Sequence, residues 1–565
     1  MKRDILSLDE NPRLTGLAVT IVNTFLLLIT SGSFLKASSL AGRDLVGAYS
    51  LSLIFPTKWS SSWFLGYPPF HFYPPGFFAL SHYLGALIGD LVAFKLLVFF
   101  MLAVFPGVVY FTFGSIFDNR AGLLAGLLGI MVIFRSSLNL LYQTLQVGLV
   151  AQLAGLLLLL LLMNYIWRED RGSSYITALI TGLLPLVHPF LALVAVIYIG
   201  LYLVLSKNIY RTFMASAGFL LSATWWIPAI EYSWYTNLFT GPVGQLINIP
   251  WVFLPLLIYR RDKKTRSLGL LAAIMFVMGL IKTPLAIQSY RFFIYGQIFA
   301  VLGAAPGLEK LINDFSDKVD PRILYSLVTI SIVLPVFFLH ISPAWNAHTS
   351  LDGVSPREGR MIVETSHSDL YDSYRPQQVL PLRTNVTAVN GLYADSSVSS
   401  PYILGLEKSF ARDPVPNPIA ITSNLSSQQI EARMAYLNIT YALVRTPDAR
   451  ENLPFMSRIS SNNDFILLQH NQDFDYTPEH VITVSGPRKR WKDLNQYIFS
   501  HDLVANIVYI HDGKGMYPLD RYKPAEILDL ARRSNSSLKY TIKPNSIRPS
   551  ADKEAVFGLR AVRTD

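Results

Sequence analysis

AGRDLVGAYSLSLIFPTKWSSSWFLGYPPFHFYPPG, residues 41–76, is the stretch whose reading decides the fold. It follows a very apolar run, Leu14–Phe34, and is too long and too mixed in character for a tight turn. A lone acid, Asp44, comes first, then a Trp- and Tyr-rich run, then the pairs Pro68-Pro69 and Pro74-Pro75. Trp and Tyr collect at membrane–water boundaries because their rings are apolar with one polar edge. Each proline lacks an N–H and restricts the residue before it, so helix is expected to stop here. The reading is a structured loop on a membrane surface, with a carboxylate fixed near the lipid headgroups.

Composition supports a membrane class. The chain has 565 residues, 51% hydrophobic and 15% charged, against roughly 25% charged for soluble domains. Residues 14–342 carry one apolar run after another, many near the ~20 residues that cross a ~30 Å hydrocarbon core. Residues 343–565 read as a soluble domain. The net charge of +10 suggests nucleic acid at first sight. Much of it sits in short loops between apolar runs, which makes it a topology signal and excludes a nucleic-acid partner from the reading. With no cysteine, disulfides, thiolate chemistry and Cys-ligated metals fall away. The first apolar run lacks a small-residue cleavage site and reads as a retained anchor.

After Leu14–Phe34, apolar runs lie near 92–115, 121–135, 147–167, 173–187, 190–206, 212–230, 243–259, 267–282, 292–309 and 323–341, eleven spans in all. Pro69–Ile88 is apolar enough to make a twelfth, and parity decides its place. If it stays on the outer surface, sixteen basic residues of the loops fall inside, against seven outside: Lys36, Arg43, Lys58, Lys95, Arg135, Lys282 and Arg291. The positive-inside rule then favours eleven crossings, a cytoplasmic N-terminus and a C-terminal domain outside the cell membrane. The domains follow: 1–342 transmembrane, with a large first outer loop at 35–91, and 343–565 an extracytoplasmic α/β domain. Four N-x-[ST] triplets, at Asn385, Asn424, Asn438 and Asn535, agree weakly with that location. In the outer domain Gln428–Tyr436 and Lys523–Arg533 look helical, while Thr440–Val444, Phe465–Leu468 and Leu503–Ile510 look like strands.

Charge near a membrane is costly, at roughly 2.5–3.5 kcal/mol per group at a helix centre, so each charge there asks for a reason. Before residue 343 the outer side holds three carboxylates, Asp44, Asp90 and Glu231, with the cations Lys58, Lys95 and Arg291 and the histidines His71, His82 and His188. Asp44 reads either as a general base at the mouth of a bundle cavity or as a helix N-cap or Arg43 partner. Asp90 directly precedes an apolar run and reads as an N-cap. Glu231 leaves a helix after Trp225-Trp226-Ile227-Pro228, as an interface anchor or an acceptor contact. Arg291 grips a phosphate through its planar fork or snorkels to the interface. His188, in an outer hairpin, donates to the same phosphate or is packing, and Lys95 reads as a snorkelling lysine. No GxxxxGK[ST], GxGxxG, HExxH or GxSxG is present. The single D-x-D pair, Asp473-Phe474-Asp475, reads as a solvated turn in the outer domain.

Taken together, these residues resemble the GT-C superfamily of polytopic membrane glycosyltransferases. Within it the chain is most similar to the bacterial and archaeal membrane proteins labelled 6-pyruvoyl-tetrahydropterin synthase-related. The resemblance rests on Asp44 in the first outer loop, Gly66-Tyr67-Pro68-Pro69-Phe70-His71-Phe72-Tyr73-Pro74-Pro75, Leu221-Ser222-Ala223-Thr224-Trp225-Trp226-Ile227-Pro228-Ala229 and Tyr290-Arg291-Phe292-Phe293 with Gly303-Ala304-Ala305. Val389-Asn390-Gly391-Leu392-Tyr393 and Tyr436–Val444 add to it in the outer domain. It implies a polytopic helical protein of about eleven transmembrane helices with a C-terminal mixed α/β extracytoplasmic domain. It implies an inverting transfer from a polyprenyl-phosphate-linked sugar to a glycan, lipid or protein acceptor, with Asp44 as base and Arg291, His188 and Lys58 at the donor phosphate. Tyr67, His71, Tyr73, Trp226, Glu231 and Gln288 would line the acceptor cavity. The chain lacks the D-x-D after the first span and the Trp-Trp-Asp-Tyr-Gly of metal-dependent oligosaccharyltransferases, so no cofactor is required, with a divalent metal left open. Two readings of other classes stand beside it, a non-catalytic scaffold for envelope glycan assembly and a lipid-linked-sugar transporter.

Overall fold

The computed structural model describes residues 11–36, 40, 43–57, 60, 62–63, 69–134, 140–145, 148–231, 256–257, 259, 262–280, 289–338, 354, 356, 358–365, 376–391, 400–411, 425–462, 465–471, 482–485, 507–510, 517–518, 523–527, 554–557 and 560–563. It has two compact units. The first takes in Met1–Leu40, Pro74–Pro228 and Thr240–Asn346, the second Ala41–Tyr73, Ala229–Phe239 and Ala347–Asp565.

Helices build the first unit: α1 (Pro12–Lys36), then, beyond α2 (Arg43–Ile54) and α3 (Pro69–Phe72) of the second unit, α4 (Gly76–Ile88), α5 (Asp90–Ile116), α6 (Asn119–Phe134), α7 (Leu140–Leu145), α8 (Val150–Ile166), α9 (Arg171–Val187) and α10 (Pro189–Ser206). There follow α11 (Ile209–Gly218), a 3-10 turn at Phe219–Ser222, α12 (Ala223–Glu231), α13 (Lys263–Leu280), α14 (Ser289–Gly303), α15 (Ala305–Phe315) and α16 (Pro321–Phe338). Ten of the eleven expected apolar runs coincide with these helices, and most of the other, 243–259, lies outside the described residues. Five described helical stretches are long and apolar enough to cross a membrane: Pro12–Lys36, Asp90–Ile116, Pro189–Ser206, Ile209–Ile230 and Arg291–Phe315. Pro69–Ile88 breaks into two helices, and the longer, α4, has 13 residues, about 20 Å and too short for a hydrocarbon core.

α1 and α5 run antiparallel. Asn23, fully buried in α1, donates through Nδ2 to the carbonyls of Leu102 (2.9 Å) and Ala103 (3.0 Å), and Lys95 Nζ lies 5.7 Å from the Phe34 ring centre. A polar side chain bonded between helices in this way is a strong register mark in an apolar bundle. Basic residues gather at the opposite end, where helices finish. Arg211 donates to the carbonyls of Ile166 (3.2 Å) and Asp170 (3.0 Å), and Lys264 Nζ to that of Ile116 (2.6 Å). The Ile166 and Ile116 carbonyls are orphan groups at the negative pole of helix C-termini, which cations stabilise.

The second unit joins stretches far apart in the sequence. Residues 41–73, expected to stand as part of the transmembrane domain's outer loop, belong to the same compact unit as 347–565, while Pro74 onward stays with the helices. Arg43–Ile54 is also a helix, not loop: Leu45, Val46, Ala48 and Leu51 give it a buried apolar face that a reading centred on the prolines overlooked. Its other elements are β1 (Gly359–Val363), α17 (Pro376–Arg383), β2 (Val386–Ala388), α18 (Ser400–Phe410), α19 (Ser427–Tyr436), β3 (Tyr441–Val444), α20 (Pro447–Glu451), β4 (Met456–Ser461) and β5 (Ile466–His470). One sheet has the order β2-β1-β3-β5-β4, with β2, β1 and β3 parallel and the β3–β5–β4 part antiparallel. A second sheet joins β10 (Arg560–Arg563), β9 (Glu554–Phe557), β7 (Ile507–Ile510), β6 (Ile482–Ser485) and β8 (Tyr517–Pro518), in that spatial order. The core of the first sheet packs Ile362, Ala388, Leu406, Met434, Ala442 and Leu468 around Trp63.

Candidate active site

His188 sits in the one-residue connection between α9 and α10, with extended backbone (φ −158°, ψ 101°), capping the start of α10. Pro189 at the first helical position has the φ a helix start needs. The imidazole Nδ1 accepts the N–H of Leu191 at 3.3 Å, so the proton of the neutral ring sits on Nε2, which is a donor. The residue is 8% exposed. Burial, and after it the neighbouring charge of Arg291, pulls its pKa down to about 3, so at neutral pH it is an uncharged hydrogen-bond donor.

Two close approaches fix this hairpin. A Cβ built on Gly155 of α8 would stand 2.8 Å from His188 Cβ and 2.9 Å from Leu191 Cδ1, so only glycine lets α8 pass. Gly76, where α4 starts after Pro74-Pro75, lies against the Leu186 carbonyl and Val187. The Pro-Pro-Gly end of the opening stretch therefore abuts the His188 hairpin within the helical unit.

Arg291 is half-buried near the start of α14. That start packs on the start of α10: the Phe190 and Phe292 rings are 4.3 Å apart, and Phe190 and Tyr295 5.8 Å. The pair proposed from sequence for a phosphate, His188 and Arg291, is thus brought to one end of the helical unit from stretches of chain about a hundred residues apart. A helix N-terminus with a neutral N–H donor and a guanidinium beside it is a suitable seat for an anion.

Lys95 overturns its reading as a snorkelling lysine. It is 4% exposed and directed at Phe34, because it falls on the α5 face that packs on α1. Asp90 is not a cap: Gly89 holds the N-cap position, and Asp90 is the first residue of α5, exposed. Trp226 is half-buried, its indole N–H donating to the Phe219 carbonyl at 2.8 Å, which ties α12 to the 3-10 turn before it.

Asp44 lies one residue inside the start of α2, in the second unit. It is therefore not the residue that precedes the helix, although an acid in a first turn suits the positive helix pole. Tyr73 is half-buried at the end of the same stretch. The side chains of Asp44, His71 and Glu231 lie outside the described residues, as do Lys58, Tyr67, Gln288 and Asp473–Asp475. Among the described residues, no three of His, Asp and Glu come together as a metal would need.

In the outer domain, the motifs that looked family-like serve the sheet. Asn390, at the end of β2, donates to the Val363 carbonyl (2.6 Å) and to Glu407 Oε2 (2.8 Å), and accepts the Val363 N–H (3.0 Å). Asn438 closes α19 with φ 52°, a left-handed geometry that Asn tolerates better than most residues. Sequence reasoning missed the buried carboxylates Glu364 and Glu407. Glu364 accepts from the N–H groups of Arg445 (2.7 Å) and Thr446 (3.1 Å) and from the Thr446 hydroxyl (2.7 Å). A glutamate directly after the strand-like GRMIV was the available signal.

No family model matches the chain, and no curated protein does. Solved structures do. Arabinofuranosyltransferase AftD from Mycobacteria superposes with a TM-score of 0.53 at 12% identity over 88% of this chain and 43% of that one. The oligosaccharyltransferase of Archaeoglobus fulgidus, in the apo form, gives 0.50 at 13% identity over 78% of this chain and 70% of that one. Both are GT-C glycosyltransferases.

The fold is that of the GT-C glycosyltransferases. The chain spans less than half the length of AftD. At these identities the likeness concerns fold: a polytopic helical membrane protein with a mixed α/β domain at its C-terminal end.

Proposed function

We propose that this chain is an inverting GT-C-type membrane glycosyltransferase, moving a sugar from a polyprenyl-phosphate donor to a glycan, lipid or protein acceptor at the extracytoplasmic face. The observation that carries the reading is the placing of His188 and Arg291 at two helix starts that pack together, with the neighbouring Phe190 and Phe292 rings 4.3 Å apart. A full positive charge and a neutral N–H donor suit an anion that gains charge as it leaves. Asp44 removes the proton of an acceptor hydroxyl, whose oxygen attacks the anomeric carbon. The bond from that carbon to the phosphate oxygen breaks, and the phosphate departs with the electron pair towards Arg291 and His188, with Lys58 as a further cation. Charge balance at the phosphate is then met by side chains, and no cofactor is called for. The count read from the sequence, sixteen basic loop residues inside against seven outside, supports an extracytoplasmic site by the positive-inside rule.

The test is the full-length protein in proteoliposomes, supplied with radiolabelled synthetic polyprenyl-phosphate sugars and a native membrane extract as acceptor source. Release of polyprenyl phosphate together with labelled product, lost in Asp44→Asn and in Arg291→Gln variants of unchanged melting temperature, supports the enzyme. Movement of labelled lipid between leaflets without transfer points to a transporter. Glycan output that Asp44→Asn leaves untouched points to a scaffold.

A further inference from the structure

The helix that bears Asp44 is anchored in the outer domain. Trp63 is fully buried in the core of that domain, and its indole Nε1 donates to the Gln377 carbonyl of α17 at 2.8 Å. Its backbone forms a parallel bridge with Ala388, and Ser62 O accepts the Ala388 N–H at 2.9 Å, so residues 62–63 lie along the free edge of β2. Gly391 lies so close against the indole that no Cβ fits between them. On α2 itself, Ser50 Oγ reaches the Gln378 carbonyl at 3.1 Å while also bonding Val46 O at 2.8 Å. Both acceptors are carbonyls in the first turn of α17, and both donors come from the first outer loop.

We propose that Trp63 and Ser50 are positioning residues that fasten α2, the helix that carries Asp44, to α17. The proposal rests on the reading of Asp44 as the base. Its consequence is that the placing of Asp44 depends on residues of the same unit more than three hundred positions away. The donor KM reports on the helical unit, kcat on the fastening. Misplacing a reacting group by ~1 Å costs about a hundredfold in rate.

The experiment uses full-length protein in nanodiscs and a Trp63→Phe/Ser50→Ala variant, which keeps the aromatic bulk but removes both donors. Amide hydrogen exchange is expected to quicken at least tenfold over residues 45–54 and 377–383 and to stay unchanged over 189–206. Transfer from the synthetic donor is expected to fall ten- to a hundredfold in kcat, with donor KM within twofold. Unchanged exchange over 45–54 overturns the fastening, whatever Asp44 does. Quickened exchange with undiminished kcat keeps the fastening and overturns its catalytic role through Asp44. If the double variant does not fold, Ser50→Ala alone, with Trp63 in place, is read by the same two measurements.

Discussion

The His188 hairpin and the Asp44 helix are held in opposite ways. The His188 ring is oriented by its nearest neighbours in sequence, Pro189 starting the next helix and Leu191 supplying the N–H it accepts, in a hairpin held by Gly76 and Gly155 of the same unit. The helix of Asp44 is set by groups 314 and 328 residues away, through the carbonyls of Gln377 and Gln378. Geometry fixed within the helical unit survives damage to the other unit. Geometry fixed at long range fails when a distant domain loosens. The phosphate end of the proposed chemistry should therefore be robust to changes in the outer domain and the base end sensitive to them.

The largest effects come from removing either end outright. Arg291→Gln and Asp44→Asn are each expected to lower kcat/KM about a thousandfold, the usual scale for losing charge stabilisation or a general base. They should differ in one respect. Undecaprenyl phosphate, added as a binding probe to protein in nanodiscs, should bind at least tenfold more weakly to Arg291→Gln and normally to Asp44→Asn. Equal losses of binding would erase the division of labour.

A milder pair is Gly155→Val against Gly391→Val. Each forces bulk into a close approach, a cost of about 1–3 kcal/mol by overpacking. At Gly155 the added methyls displace His188 and Leu191, so probe binding should weaken several-fold. At Gly391 they press on Trp63, so transfer should slow while probe binding holds. The two measurements, crossed over the two variants, sharpen the comparison without touching a charged group.

Much of the helical unit was legible because a hydrocarbon core imposes one rule on every span, and apolar runs of the right length show it. The His188 hairpin was legible as well, since Val187-His188-Pro189 announces a helix break. That His188 and Arg291 meet was an inference from loop parity. The closeness itself depends on Phe190 packing against Phe292, which no local pattern encodes. Lys95 was misread because a lysine near a helix start looks alike whether it faces water or a neighbouring helix; only the face that α5 turns to α1 decides. In the outer domain, Gln428–Tyr436, Thr440–Val444 and Phe465–Leu468 showed their periods and were found within a residue or two. The docking of residues 43–63 into that domain left no such trace, because it is made of long-range backbone acceptors.

Within the outer domain, Glu364→Ala tests whether damage there stays on the base side. Removing the carboxylate leaves two N–H groups and a hydroxyl without their acceptor, a cost of about 1–3 kcal/mol. Thermal melting followed by a probe on the outer domain should drop by a few degrees. Binding of undecaprenyl phosphate should be unaltered.

The smallest effect is expected from pH. His188 is held at a pKa of about 3, first by burial and then by Arg291, against ~6.5 in an unfolded chain. Between those values the unfolded chain binds more protons than the folded one, so stability rises with pH across that window. The contribution of neutral His188 is complete above about 6.5 and is lost as the pH falls towards 3. Wild type should therefore lose melting temperature between pH 7 and pH 5 in slight excess over His188→Gln, which has no such group. Donor binding tells the same story with a different sign of failure. A polyprenyl-phosphate sugar is a phosphodiester with one charge throughout, so its affinity for a site with a permanently charged Arg291 and a neutral His188 should stay flat from pH 8 to pH 5. Tightening on acidification would mean that the imidazole gains a proton in that range, and the ring would then be a second cation instead of a fixed neutral donor.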